Sequence, residues 1–223
     1  MVLVALVACT AVSSPDVPNA ELYAEVLVST DGASTEVDAK LQQGQGLGWQ
    51  PVAIGGDEAL LAVIGDEATA MDEVDLGLGT VGYVAVIDAP SGGTSAGVRF
   101  QRSADDSFDT VLTVPSDFTI TAPNDGDYLY GDTTTVVTWD ATADDGVVEV
   151  TVAGSCIPGF QVSGVADVGY VEVPGGALAA EGASCAATVT VVRYIEGELP
   201  AEWGAGGWLQ AQSGRMVTVV IVG

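Results

Sequence analysis

From Val147 to Val152 the chain reads Val-Val-Glu-Val-Thr-Val, which sets Val148, Val150 and Val152 on one side and Glu149 and Thr151 on the other. Successive side chains of a strand point to opposite faces, so this segment is a strand with one dry and one wet side. Thr188-Val189-Thr190-Val191 repeats the alternation. Such strands belong in an antiparallel sheet packed by one face on a second sheet. Nothing after Asn19 sustains a helical period. The nearest approach, Asp57 to Ala70, is interrupted at Gly65, and its Val and Ile suit a strand.

Apolar runs of strand length recur along the whole chain, separated by clusters of Gly, Asp and Ser. They predict strands at 21–29, 36–42, 48–54, 59–64, 82–87, 96–102 and 110–114 in the first half. In the second half they fall at 118–122, 127–130, 134–140, 147–153, 170–173, 186–194 and 215–222. Two sets of this size fit two sandwiches of about 100 residues each. The boundary falls at Pro115, which has no N–H to give a sheet ladder. The reading is therefore all-β, with residues 20–115 as one sandwich and 116–223 as a second, joined by a short linker.

Composition narrows function more than fold. The chain carries 31 Asp and Glu against 5 Lys and Arg, with no His, for a net charge of -26. That charge repels phosphate backbones and anionic lipid, which argues against nucleic acid and against docking on a bare membrane surface. It favours solubility, affinity for divalent cations or life in a salty medium. Lack of His removes the commonest general base and zinc ligand, and Lys40 is the single Lys. The chain reads as non-catalytic, with no cofactor and no metal.

The first residues, Met1-Val2-Leu3-Val4-Ala5-Leu6-Val7-Ala8-Cys9-Thr10, are too short an apolar run to span a bilayer as a helix. Leu6-Val7-Ala8-Cys9 resembles the lipobox of bacterial lipoproteins, in which the Cys is acylated and becomes the first mature residue. The resemblance implies lipidation at Cys9, export and an outer-membrane or cell-surface location, since Thr10 and not Asp follows the Cys. Residues 1–19 then read as a signal remnant and a flexible tether. The other reading of this stretch is a first strand ending in a buried Cys. Cys156 and Cys185 remain; an even pair in an exported chain favours a disulfide over two buried thiols.

Phe118-Thr119-Ile120-Thr121-Ala122-Pro123-Asn124-Asp125-Gly126, then Tyr128, Gly131 and Val136-Val137-Thr138-Trp139, resembles the opening of an immunoglobulin-like module widespread in secreted proteins. The resemblance implies that both sandwiches are immunoglobulin-like, with Trp139 turned inward. Gly55-Gly56-Asp57 and Phe100-Gln101-Arg102 extend it to uncharacterised lipoproteins of marine and predatory bacteria. It implies no activity.

Four acidic groups place carboxylates where calcium could be held: Asp66-Glu67, Asp72-Glu73 with Asp75, Asp105-Asp106 with Asp109, and Asp144-Asp145-Gly146. None follows an EF-hand or a repeat-type calcium loop, and Asp144-Asp145-Gly146 suits a hairpin turn. Glu181, Glu196, Glu198 and Glu202 lie in a Gly-rich stretch without a recognisable catalytic pairing. Trp203 and Trp208, flanking Gly204-Ala205-Gly206-Gly207, either present aromatics to a ligand or anchor a long loop against the sandwich. The expected function is a surface-anchored binding or structural module with an unknown protein or glycan partner, touching membrane through its lipid alone. The alternative is an accessory carbohydrate-binding protein, to which Trp203 and Trp208 would be central.

Overall fold

The computed structural model describes residues 11–44, 49–89, 91–141, 146–180, 182 and 184–223. Strands Val12–Ser13 (β1), Leu22–Thr30 (β2), Thr35–Gln43 (β3), Gln50–Ala53 (β4), Ala59–Ile64 (β5), Glu67–Ala70 (β6), Asp72–Gly77 (β7), Thr80–Ile87 (β8), Ser95–Ser103 (β9) and Asp106–Thr113 (β10) precede Pro115. After it come Ile120–Ala122 (β11), Tyr128–Tyr130 (β12), Thr135–Trp139 (β13), Val147–Gly154 (β14), Phe160–Ala166 (β15), Tyr170–Val173 (β16), Cys185–Gly197 (β17) and Trp208–Val222 (β18).

In the first sandwich β7-β8-β3-β2 faces β6-β5-β9-β10. In the second, β11-β13-β16 faces β15-β14-β17-β18. Both orders are immunoglobulin-like. In the usual lettering β2, β3, β8 and β7 are A, B, E and D, while β5, β9 and β10 are C, F and G. In the second sandwich β11, β13 and β16 are A, B and E, with β14, β17 and β18 as C, F and G. Alternation explains the packing. Val148, Val150 and Val152 of β14 are fully buried beside Val189 and Val191 of β17, and Trp139 closes the same core. Along β2, Leu22, Ala24, Val26 and Val28 point inward while Tyr23, Glu25, Leu27 and Ser29 stay on the outer face.

The two sandwiches share a sheet. Strand β18 pairs in parallel with β2 over Trp208–Ser213 and in antiparallel with β17 from Leu209 to Ile221. Its last residues pair in parallel with β12. The 15-residue β18 thus runs out of the second sandwich and along β2 of the first, with the 13-residue β17 on its other side. A division at Pro115 puts Trp203, Leu209 and Ala211 in the second module, but these side chains pack in the first module's core.

Three regions depart from the sequence reading. The carboxylates Glu67, Asp72, Glu73 and Asp75, expected near loops, lie on the edge strands β6 and β7, whose residues are exposed on both faces. Strand β15 has a half-buried face through Phe160, Val162 and Val165, but a register shift at Ser163-Gly164 breaks its alternation. The tether expected over residues 10–19 is not free beyond residue 11. Here β1 pairs in parallel with β4, Val17 is 1% exposed, and Arg102 donates to the Ser14 and Val17 carbonyls and to Asn19 Oδ1. Four polar contacts to one guanidinium, its Glu58 ion pair included, fasten the segment to the sandwich.

Candidate binding face

The expected site residues part company. Cys9 lies outside the described residues, as do Glu181, Asp144 and Asp145. Cys156 and Cys185 are disulfide-bonded, with Cα atoms 5.9 Å apart. The bond lies where β14 ends beside the start of β17, Gly154 being paired with Ala187. Trp203 is no ligand platform. It is 4% exposed, stacks on Phe100 at 5.6 Å and meets Phe108 edge-on at 5.0 Å. Its indole N–H donates to Thr110 Oγ1 at 2.6 Å. The Gly run beside it serves close packing, since a Cβ on Gly207 would collide with the Ala24 carbonyl oxygen of β2. So Trp203 and Trp208 do not form the expected pair.

Trp208 is 43% exposed on the outer face of the shared sheet, and so is Trp49. The chain has four Trp. The two buried ones place their N–H groups, Trp139 on Asp167 and Trp203 on Thr110. The indole N–H groups of Trp49 and Trp208 have no partner among the described residues. Between them the outer face carries three depressions. Trp208 lies directly beside Glu25 on β2, and Glu25 beside Lys40 on β3. A depression of about 320 Å³ is lined by Glu25, Lys40, Gln42 and Trp49, among others. A second of about 180 Å³ joins Glu25, Asp38 and Lys40 to Trp208. A third of about 270 Å³ continues past Trp208 to Gln210 and Glu196. Sequence reading missed Trp49 and Lys40. Their signal was register: Lys40 falls on the wet side of β3, opposite Val37, Ala39 and Leu41.

Charges elsewhere are committed. Each of the four Arg is ion-paired: Arg99 with Asp109, Arg102 with Glu58, Arg193 with Asp167 and Arg215 with Asp117. Lys40 has no ion pair among the described residues. Glu25 accepts a hydrogen bond from Gln42 Nε2 at 2.9 Å. Farther along the same face, burial and then the neighbouring Asp38 hold the Glu36 carboxyl above its ordinary range. Among the described residues, no three Asp, Glu or Cys side chains converge as a metal site. Asp72, Glu73 and Asp75 lie along the exposed edge strand β7, and Asp109 is held by Arg99.

No protein-family model matches the chain, and no curated protein matches it. Among solved structures it is similar to a two-domain fibronectin type III segment of chicken tenascin. That match has a TM-score of 0.28 and 10% identity, over 90% of this chain and 99% of the other. A likeness at that level carries no weight for function, and the strand orders above stand without it.

Proposed function

We propose that this chain is an exported, non-catalytic binding and structural protein that holds two immunoglobulin-like sandwiches as one stiff body at a cell surface. The observation that carries this reading is β18, which pairs with β17 of the second sandwich and with β2 of the first. A boundary bridged by a strand hydrogen-bonded on both sides does not hinge like a flexible linker. Residues 12–19 are clamped to the sandwich by Arg102 and β4 and so form part of the body. The Cys156–Cys185 disulfide fits an oxidising compartment. The Leu6-Val7-Ala8-Cys9 box supports a lipid at Cys9 as the anchor.

The test is fractionation of cells making the wild-type protein and the Cys9→Ser variant. Wild type should sediment with membranes and carry diacylglyceryl-Cys at its mature N-terminus by mass spectrometry. Cys9→Ser should leave the membrane fraction. A soluble wild-type protein retaining Met1 would overturn the anchored reading.

A further inference from the structure

We infer that the outer face between Trp49 and Trp208 binds a neutral polysaccharide chain, a ligand class that rests on the reading of this protein as an exported binding module. Exposing two indoles on one face of so acidic a protein leaves apolar surface in water, and both indole N–H groups are without a partner among the described residues. A pyranose ring has apolar C–H faces and a rim of hydroxyls, so it covers an indole and also meets polar groups beside it. Trp alone offers that combination of a broad apolar face and one polar edge.

The polar groups between the two indoles are of mixed kind. Glu25 accepts, Lys40 donates, and Gln42 and Gln210 do both. Trp208, Glu25 and Lys40 stand side by side on three adjacent strands, so Trp208 and Lys40 are about 10 Å apart across the sheet. A sugar ring over Trp208 would bring its neighbour's hydroxyls over Glu25 and Lys40. The first and second depressions share Glu25 and Lys40, and the second and third share Trp208, so they follow one another along the face as the units of a chain-like ligand would.

Charge selects the neutral class. Glu25, Asp38 and Glu196 lie around Lys40 and Trp208, so an acidic glycan meets three carboxylates for one ammonium. The overall charge of -26 repels a polyanion further. A basic peptide would be drawn by the same carboxylates, but its ammonium groups offer no apolar ring face to cover the two indoles, and Lys40 lies beside Glu25 in its path. A polyhydroxyl ligand bears no charge to desolvate and can bond to each of these groups.

Affinity electrophoresis and calorimetry on the full-length protein would use hydroxyethyl cellulose, xylan and galactomannan as neutral probes. Alginate would serve as the acidic probe and oligolysine as the basic one. At least one neutral polymer should bind, and Trp208→Ala and Trp49→Ala should each weaken it about tenfold or more. Tyr170→Ala, an exposed aromatic on β16, should leave the affinity unchanged. Both Trp side chains are partly exposed, so the melting temperature of each variant confirms that the fold survives; if one variant fails to fold, the other decides. No binding to any neutral polymer, binding unaffected by both Trp variants, or binding of alginate or oligolysine alone would overturn the inference. Release of the wild-type protein from membranes would refute the surface reading without altering these affinities, so the two failures are distinguishable.

Discussion

Trp203 offers the sharpest test of how the two sandwiches depend on each other. Replacing it with Ala removes a buried indole from between Phe100 and Phe108 and leaves the Thr110 hydroxyl, itself 0% exposed, without its donor. Large-to-small changes of buried Trp cost about 3–5 kcal/mol. A buried hydroxyl stripped of its partner adds about 1 kcal/mol or more. Trp203→Phe keeps most of the ring contacts and should isolate the hydrogen bond, at about 1–3 kcal/mol. The loss should fall on the first sandwich although residue 203 comes long after Pro115. Hydrogen exchange followed by mass spectrometry reads this directly. In Trp203→Ala, amides of β9 and β10 should exchange faster, while those of β13 and β14 keep their protection. Faster exchange confined to the second sandwich, or a cost below about 1 kcal/mol, would refute the placement of Trp203 in the first core.

Arg193 is 1% exposed, pairs with Asp167 at 2.7 Å, donates to the Ser116 and Asp140 carbonyls and lies 4.5 Å over the Phe118 ring. Arg193→Ala should cost about 3–5 kcal/mol by denaturant melting, whereas Arg193→Met with Asp167→Leu should recover much of that, since no charge is left buried alone. Replacing Cys156 and Cys185 with Ser should cost about 3 kcal/mol, read as a lower melting temperature of the second sandwich, because their separation of 29 residues frees a long loop. A fragment covering residues 11–115 should be less stable than the same region in the whole chain by more than about 3 kcal/mol, since it lacks Trp203, Leu209 and Ala211. Arg99 holds the Asp109 carboxyl below its ordinary range, so the pair's stabilisation is present above pH 4 and is lost as pH falls through the lowered value. Exposed as it is, Asp109→Asn should cost under about 1 kcal/mol at pH 7 and nothing at pH 2 by thermal melting.

The fold was legible wherever a strand has one dry face. Strands β5 and β16 match the predicted runs 59–64 and 170–173 residue for residue, and β14 differs from 147–153 by one. What stayed hidden were edge strands: β6 and β7 bury little, and β15 alternates only as far as Gly164, where its register shifts. The first half of β18 was hidden differently. Leu209 and Ala211 do alternate with Gln210 and Gln212, but the Gly run before them reads as a loop unless its close approach to β2 is known. The Arg193 network left a trace in sequence, because residue 193 continues the inward register of Val189 and Val191. An Arg at a dry position demands partners, yet sequence does not say that they come from Ser116, Asp140 and Asp167. Of the candidate aromatics, only tertiary contact separates buried Trp203 from exposed Trp208, since both flank the same glycines.

The parallel pairing of β2 with β18 also orders events during synthesis. The first sandwich emerges from the ribosome early, but Trp203 and its flanking strand β18 are made only after β11 to β17 of the second. Until then Phe100 and Phe108 lack their third ring, and β2 presents an open edge able to pair with another molecule. The region made early is therefore completed late, and for that interval β2 stays uncovered. Residues before Pro115 already carry far more Asp and Glu than Lys and Arg, and that negative charge keeps nascent copies apart while β18 is on its way.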